Sequence, residues 1–167
     1  MSDLDTAFVA EPQVQEVVLS RTYWAPRELV FSAYTDPQLI PRWWGPSSLS
    51  TVVETMDVRA GGCWRFVQHD ASGSEFAFHG VYHKVAPPER LVSTFEYEGA
   101  PGHVLLETTI FEEVDGGTKL TTRSVFQSVA DRDQMVAAGM EGGALESIQR
   151  LELLLQGGGA VPVRSLS

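Results

Sequence analysis

Cysteine is nearly absent from this 167-residue chain: Cys63 stands alone. An intrachain disulfide is therefore impossible, and a reducing cytoplasm is the expected compartment. Cations are scarce too, with 12 Lys and Arg against 22 Asp and Glu and a formal net charge of -10. Phosphate contacts need clustered Lys and Arg, so neither nucleic acid nor an anionic membrane is an expected partner. No apolar run approaches the roughly 18–20 residues of a spanning helix. Residues 1–12 carry acidic side chains where a secretory signal would be apolar.

The usual marks of catalysis are also missing. There is no Gly-x-Ser-x-Gly nucleophile elbow. The Gly-Gly pairs fall at hairpins or in the last helical stretch, not in a phosphate-binding strand-to-helix loop. His79 and His83 are four residues apart, but in a predicted strand that spacing puts them about 13 Å apart on one face. No metal site and no cofactor are expected, and the catalytic residues are unassigned. Cys63 has no histidine placed beside it in sequence and reads as a small buried thiol.

What the chain does have is tryptophan at its bends. Three of its four Trp lie between Trp43 and Trp64, and each Trp-rich piece adjoins Gly or Pro. Rings of that size do not stay exposed without reason, so these bends fold onto a core or line a cavity. One ring of the Trp43-Trp44 pair is expected to be buried and the other to lie near an opening.

The hydrophobic pattern predicts seven strands, over residues 14–23, 51–56, 63–69, 75–85, 90–97, 103–114 and 118–127. Short turns join most of them, which makes an antiparallel up-and-down sheet. Two short helices follow the first strand, one opened by Pro26 and one capped by Asp36-Pro37. Val136, Met140, Ala144, Ile148, Leu151 and Leu155 recur at spacings of three and four, predicting one long helix over residues 131–156. Gly139, Gly142 and Gly143 interrupt its first half, which means either a close backbone or space kept open. The fold class is α+β, a single domain over 13–156, with loose tails at 1–12 and 157–167.

Several segments carry a resemblance to a known family. They are Trp43-Trp44-Gly45-Pro46, the run from Asp57 to Phe66 (Asp-Val-Arg-Ala-Gly-Gly-Cys-Trp-Arg-Phe), the run from Gly80 to Leu91, and the run from Gly139 to Leu151. Together they resemble the activator-of-heat-shock-ATPase homologues, within the START-like (SRPBCC) helix-grip superfamily. The resemblance implies a curved sheet wrapped around the terminal helix. The aromatic inner set, together with Gly143, Ala144 and Ser147, points to binding of a hydrophobic or aromatic small molecule, with a stress-related role. A co-chaperone-like protein-interaction domain is the alternative, and a cyclase or dehydratase a further one. Many relatives carry Trp where this chain has Ala144, so its cavity should be larger.

The alternating inward sets place the candidate cavity between sheet and helix. Its expected lining is Trp44, Trp64, Phe66, Phe78, Tyr82, Phe95, Leu106, Thr108, Val136, Met140, Gly143, Ala144 and Ser147. Thr122 and Ser124 are further polar handles. Arg65, Glu96, Glu107 and Arg123 read as an outward ladder of ion pairs. A one-residue change of register would instead turn a carboxylate into the cavity, with a raised pKa. The oligomeric state is expected to be monomer or homodimer.

Overall fold

A computed structural model describes residues 6–158. Eight strands form one antiparallel sheet: β1 (Ala7–Val9), β2 (Glu16–Tyr23), β3 (Ser50–Met56), β4 (Cys63–His69), β5 (Glu75–Ala86), β6 (Arg90–Tyr97), β7 (Val104–Val114) and β8 (Gly117–Val125). Their spatial order is β1-β2-β8-β7-β6-β5-β4-β3. Strands β3 to β8 follow one another as hairpins and meanders, and β2 returns to pair with β8. Register shifts at Val53/Thr55 and Tyr82/Lys84 mark bulges, which bend the strands that carry them.

The α+β architecture matches expectation with two corrections. The described residues hold eight strands rather than seven, because β1 lies within residues 1–12, which read as a loose tail. It lacks a long alternating run, but pairing Phe8 with Leu19 gives it a place on the sheet edge. Of the expected tails, residues 1–5 and 159–167 lie outside the described residues, and residues 157–158 belong to a π-helical turn, Leu154–Gly158. The terminal helix, expected to be continuous, is broken. Helix α2 (Val129–Ala137) is capped by the Ser128 hydroxyl, which accepts from the Asp131 N–H at 3.0 Å. Helix α3 (Met140–Leu153) begins anew after Gly139, whose φ of +101° is left-handed. Only glycine adopts that conformation cheaply, so the residue ends one segment and starts the next.

Between β2 and β3 lie helix α1 (Arg27–Thr35) and a single 3₁₀ turn, Ile40–Arg42. Val30, Phe31 and Ala33 of α1 are buried. They join Trp43, Trp64, Phe66, Tyr82, Phe111, Leu120, Ile148, Leu151 and Leu154 in one core. A second, smaller core holds Val17, Leu105 and Phe126, with Val136 packed against it. Arg21 on β2 is buried and ion-pairs with Glu152 of α3, and its guanidinium lies 5.5 Å from the Tyr23 ring centre. Arg132 is also buried; it donates to the Glu11 carbonyl at 2.8 Å and so ties α2 to the chain before β2. Among the described residues, no helix is long and apolar enough to cross a membrane.

Candidate functional site

The turn after α1 is built around two indoles with different surroundings. Trp43 is 5 % exposed, and its Nε1–H donates to the Ala33 carbonyl at 2.9 Å. Trp44 is half-buried and meets Phe66 at 5.1 Å, Phe78 at 5.3 Å and Trp64 at 6.5 Å between ring centres, all edge-on. Such tilted pairs suit the quadrupoles of the rings. Gly45 then reverses the chain with φ +84°. Its N–H donates to Ser147 Oγ at 3.0 Å, and its carbonyl accepts from Arg150 Nη1 at 2.7 Å. Ser47 donates to Glu146 from both its N–H and its hydroxyl. Helix α3 thus holds the Trp turn in place.

Between this turn, the sheet and the two terminal helices is a cavity of about 510 Å³, within the size range of ligand sites. Trp43, Trp44, Phe78, Phe95, Tyr23 and Tyr34 give it aromatic walls; Phe8, Val17 and Leu19 close the β1–β2 side. Met135, Ala138, Gly139, Met140, Gly143, Ala144 and Ser147 form the helical side. Ala138 and Gly139 line the cavity yet are exposed, so it reaches the surface at the break between α2 and α3. Added Cβ atoms on Gly142 and Gly143 would meet nothing within 4 Å. Of the two reasons for helical glycines, open space is the one that applies.

The floor is polar. Glu107 and Thr109 on β7 face Ser124 and Thr122 on β8 across the ladder, and all four line the cavity. Ser124 donates to Glu107 Oε2 at 3.3 Å, and the Thr109 and Thr122 hydroxyls are 3.3 Å apart. Burial pushes the Glu107 carboxyl above the ordinary carboxylate range, and the Ser124 hydroxyl partly opposes this. Burial also raises the Tyr34 hydroxyl, with Tyr23 and Glu107 adding to the effect.

Of the thirteen residues expected to line a cavity, Trp44, Phe78, Phe95, Met140, Gly143, Ala144 and Ser147 do so. Trp64, Phe66 and Tyr82 line a smaller lobe of about 140 Å³ that shares Trp44, Phe95, Glu107 and Thr109 with the main space. Three do not. Leu106 is 41 % exposed on the outer face of β7, and Thr108 shares its parity. Val136 packs into the second core, and its neighbour Met135 faces the cavity. The β7 error is one of parity: pairing with β8 sets Glu107, Thr109 and Phe111 opposite Ser124, Thr122 and Leu120, all inward. Phe111 is 1 % exposed, and its parity with Glu107 was the usable signal.

The outward ladder therefore loses Glu107 but keeps its other members. Arg65 pairs with Glu98 at 2.8 Å and Glu54 at 2.5 Å, His79 with Glu96 and Glu98, and Arg123 with Glu16 at 2.6 Å. Cys63, read as buried, is exposed: it precedes the inward Trp64 and so points away from the core.

The comparisons agree on architecture. The family model described as Activator of Hsp90 ATPase homolog 1-like protein matches residues 24–156. No curated protein matches the chain. Among solved structures, it is similar to protein Ms6760 from Mycobacterium smegmatis, at 23 % identity and TM-score 0.82 over 91 % of this chain and 97 % of that one. A protein from Arthrobacter aurescens gives 22 % identity and TM-score 0.83, over 89 % and 90 %. A protein from Staphylococcus epidermidis gives 26 % and 0.75, over 87 % and 92 %.

Proposed function

The chain belongs to the family of Activator of Hsp90 ATPase homolog 1-like proteins, and on that premise we propose that it binds a hydrophobic or aromatic small molecule between the sheet and the terminal helices. The observation that carries this reading is a 510 Å³ space with aromatic walls and a polar floor, open to solvent at Gly139. Apolar walls supply affinity, and a few convergent polar groups fix orientation. Cytoplasmic action belongs to the same proposal, supported by a lone, exposed thiol that no disulfide engages.

The test is Ala144→Trp. Ala144 lines the cavity on α3, so an indole there occupies the ligand's volume. Binding of naphthalene-based probes, followed by calorimetry, should disappear in the variant while the fold persists by circular dichroism. Unchanged binding would place the ligand elsewhere.

One surface feature favours a second reading, a protein-interaction domain of the co-chaperone kind. Trp24 is 59 % exposed, at the end of β2 beside the last turn of the terminal helix. Large exposed aromatics are typical anchors of protein interfaces. A pull-down with the Hsp90 chaperone tests it: capture by the wild type and loss in Trp24→Ala support this reading, and no complex removes it.

A further inference from the structure

Among the described residues, Glu107 is the one acidic side chain in the cavity lining, and no cation pairs with it. The titratable groups around it are Tyr23 from β2 and Tyr34 from α1, with Tyr82 from β5 in the inner lobe; among the described residues no Lys, Arg or His lines either space. The carboxyl accepts one hydrogen bond, from Ser124 to Oε2. Among the described residues nothing donates to Oε1. Buried Arg21, by contrast, has Glu152, and buried Arg132 has the Glu11 carbonyl and Asp133. A carboxyl in an aromatic chamber without a counter-charge holds its proton more firmly, and a cation brought into the chamber lets it ionise.

The walls suit such a supplier. Trp44 and Phe95 each line both the main cavity and the inner lobe, as Glu107 does, and Tyr34 shares that junction. Aromatic faces attract ammonium groups through their quadrupoles. A net charge of -10 raises the local concentration of cations around the molecule. Resting on the cavity reading above, we infer that the ligand is a hydrophobic amine, its ammonium group hydrogen-bonded to Glu107 Oε1 and its apolar body against Trp44, Phe78 and Phe95. Because the ammonium needs the ionised carboxylate, binding strengthens as pH rises through the Glu107 pKa. It weakens again only when the amine itself loses its proton.

Three naphthalene probes separate this from its rivals: 2-naphthylmethylamine, 2-naphthylmethanol and 2-acetylnaphthalene, titrated calorimetrically at pH 8. The wild type should bind the amine at least about tenfold more tightly than the alcohol, as expected for a desolvated cation over aromatic rings beside a carboxylate. Glu107→Gln should equalise amine and alcohol. Ser124→Ala, which keeps the carboxylate, should retain the preference. Equal binding of all three by the wild type, or tightest binding of the ketone, overturns the amine assignment and leaves the cavity reading standing. An amine preference that survives in Glu107→Gln overturns it as well. If none of the three binds, both readings fall. The wild-type comparison decides without any variant having to fold.

Discussion

Gly45 and Ser147 are joined by a 3.0 Å hydrogen bond from the glycine N–H to the serine hydroxyl, and this bond fixes the Trp turn to α3. Gly45 has φ +84°, and an added Cβ would lie 2.0 Å from Gln68 Nε2. Gly45→Ala is expected to cost on the order of 1–3 kcal/mol from left-handed strain alone, with the Gln68 clash in addition. Ser147→Ala removes a single hydrogen bond and should cost about 1 kcal/mol. Urea unfolding of both variants checks the ranking; a more damaging Ser147→Ala would contradict it.

The two neighbouring indoles should respond differently to truncation. Trp43 is buried, and Trp43→Ala should lose about 3–5 kcal/mol. Trp44 is half-buried against the cavity, so Trp44→Ala should cost less and weaken ligand binding more. Guanidinium denaturation and ligand titration of the same pair of variants provide both readings.

The terminal-helix glycines divide by conformation. Gly139→Ala forces a left-handed alanine and should destabilise by roughly 1–2 kcal/mol. Gly142→Ala adds a methyl to open helical space and should stabilise by up to about 1 kcal/mol through helix propensity. Gly143→Ala should also stabilise, but its methyl enters the cavity and should weaken binding. Thermal unfolding that ranks Gly139→Ala with the other two would refute the break.

Two carboxylates should pull stability in opposite directions with pH. Hydrogen bonds from Arg65 first, and His79 second, lower the Glu98 pKa to about 2. Its folded value lies below the unfolded one of about 4.3. The stability it contributes is therefore complete above pH ~4.3 and is lost as pH falls toward 2. Glu107 is raised, so its folded form holds a proton longer than the unfolded chain does. It is neutral in effect below pH ~4.3 and increasingly destabilising as pH rises through its folded pKa. In unfolding measurements from pH 2 to 8, Glu98→Gln should lose its deficit in acid. Glu107→Gln should gain its advantage toward neutrality. Reversed slopes for either would show the assigned environment to be wrong.

Much of the architecture was legible because its signals are local. Alternation at Trp64/Phe66 on β4 and at Leu120/Thr122 on β8, turn residues at Asp70–Ser74, and the Trp-Trp-Gly-Pro reversal all act over a few residues. The errors arose where local patterns were balanced. On β7, Leu106-Thr108-Ile110 looks as apolar as Leu105-Glu107-Thr109-Phe111, and only pairing with β8 decides which set faces in. A leucine tolerates the outer face easily, whereas an inward glutamate defies expectation, so alternation alone favours the opposite parity. The break at Gly139 was missed because an apolar stripe persists across it. β1 was missed because three residues are too few for periodicity; its place comes from β2.

The return of β2 to β8 has a consequence for how the protein comes to exist. The pairing joins Glu16 to Val125 and Tyr23 to Thr118, residues about a hundred positions apart in the chain. Closing so long a loop costs more entropy than closing the hairpins between β3 and β8. Phe8 and Val17 lie on one side of that closure and Ser124 and Ala144 on the other, so no fragment of the chain can hold the cavity by itself. An occupant at a hundred times its dissociation constant would hold the whole molecule folded by about 2.7 kcal/mol.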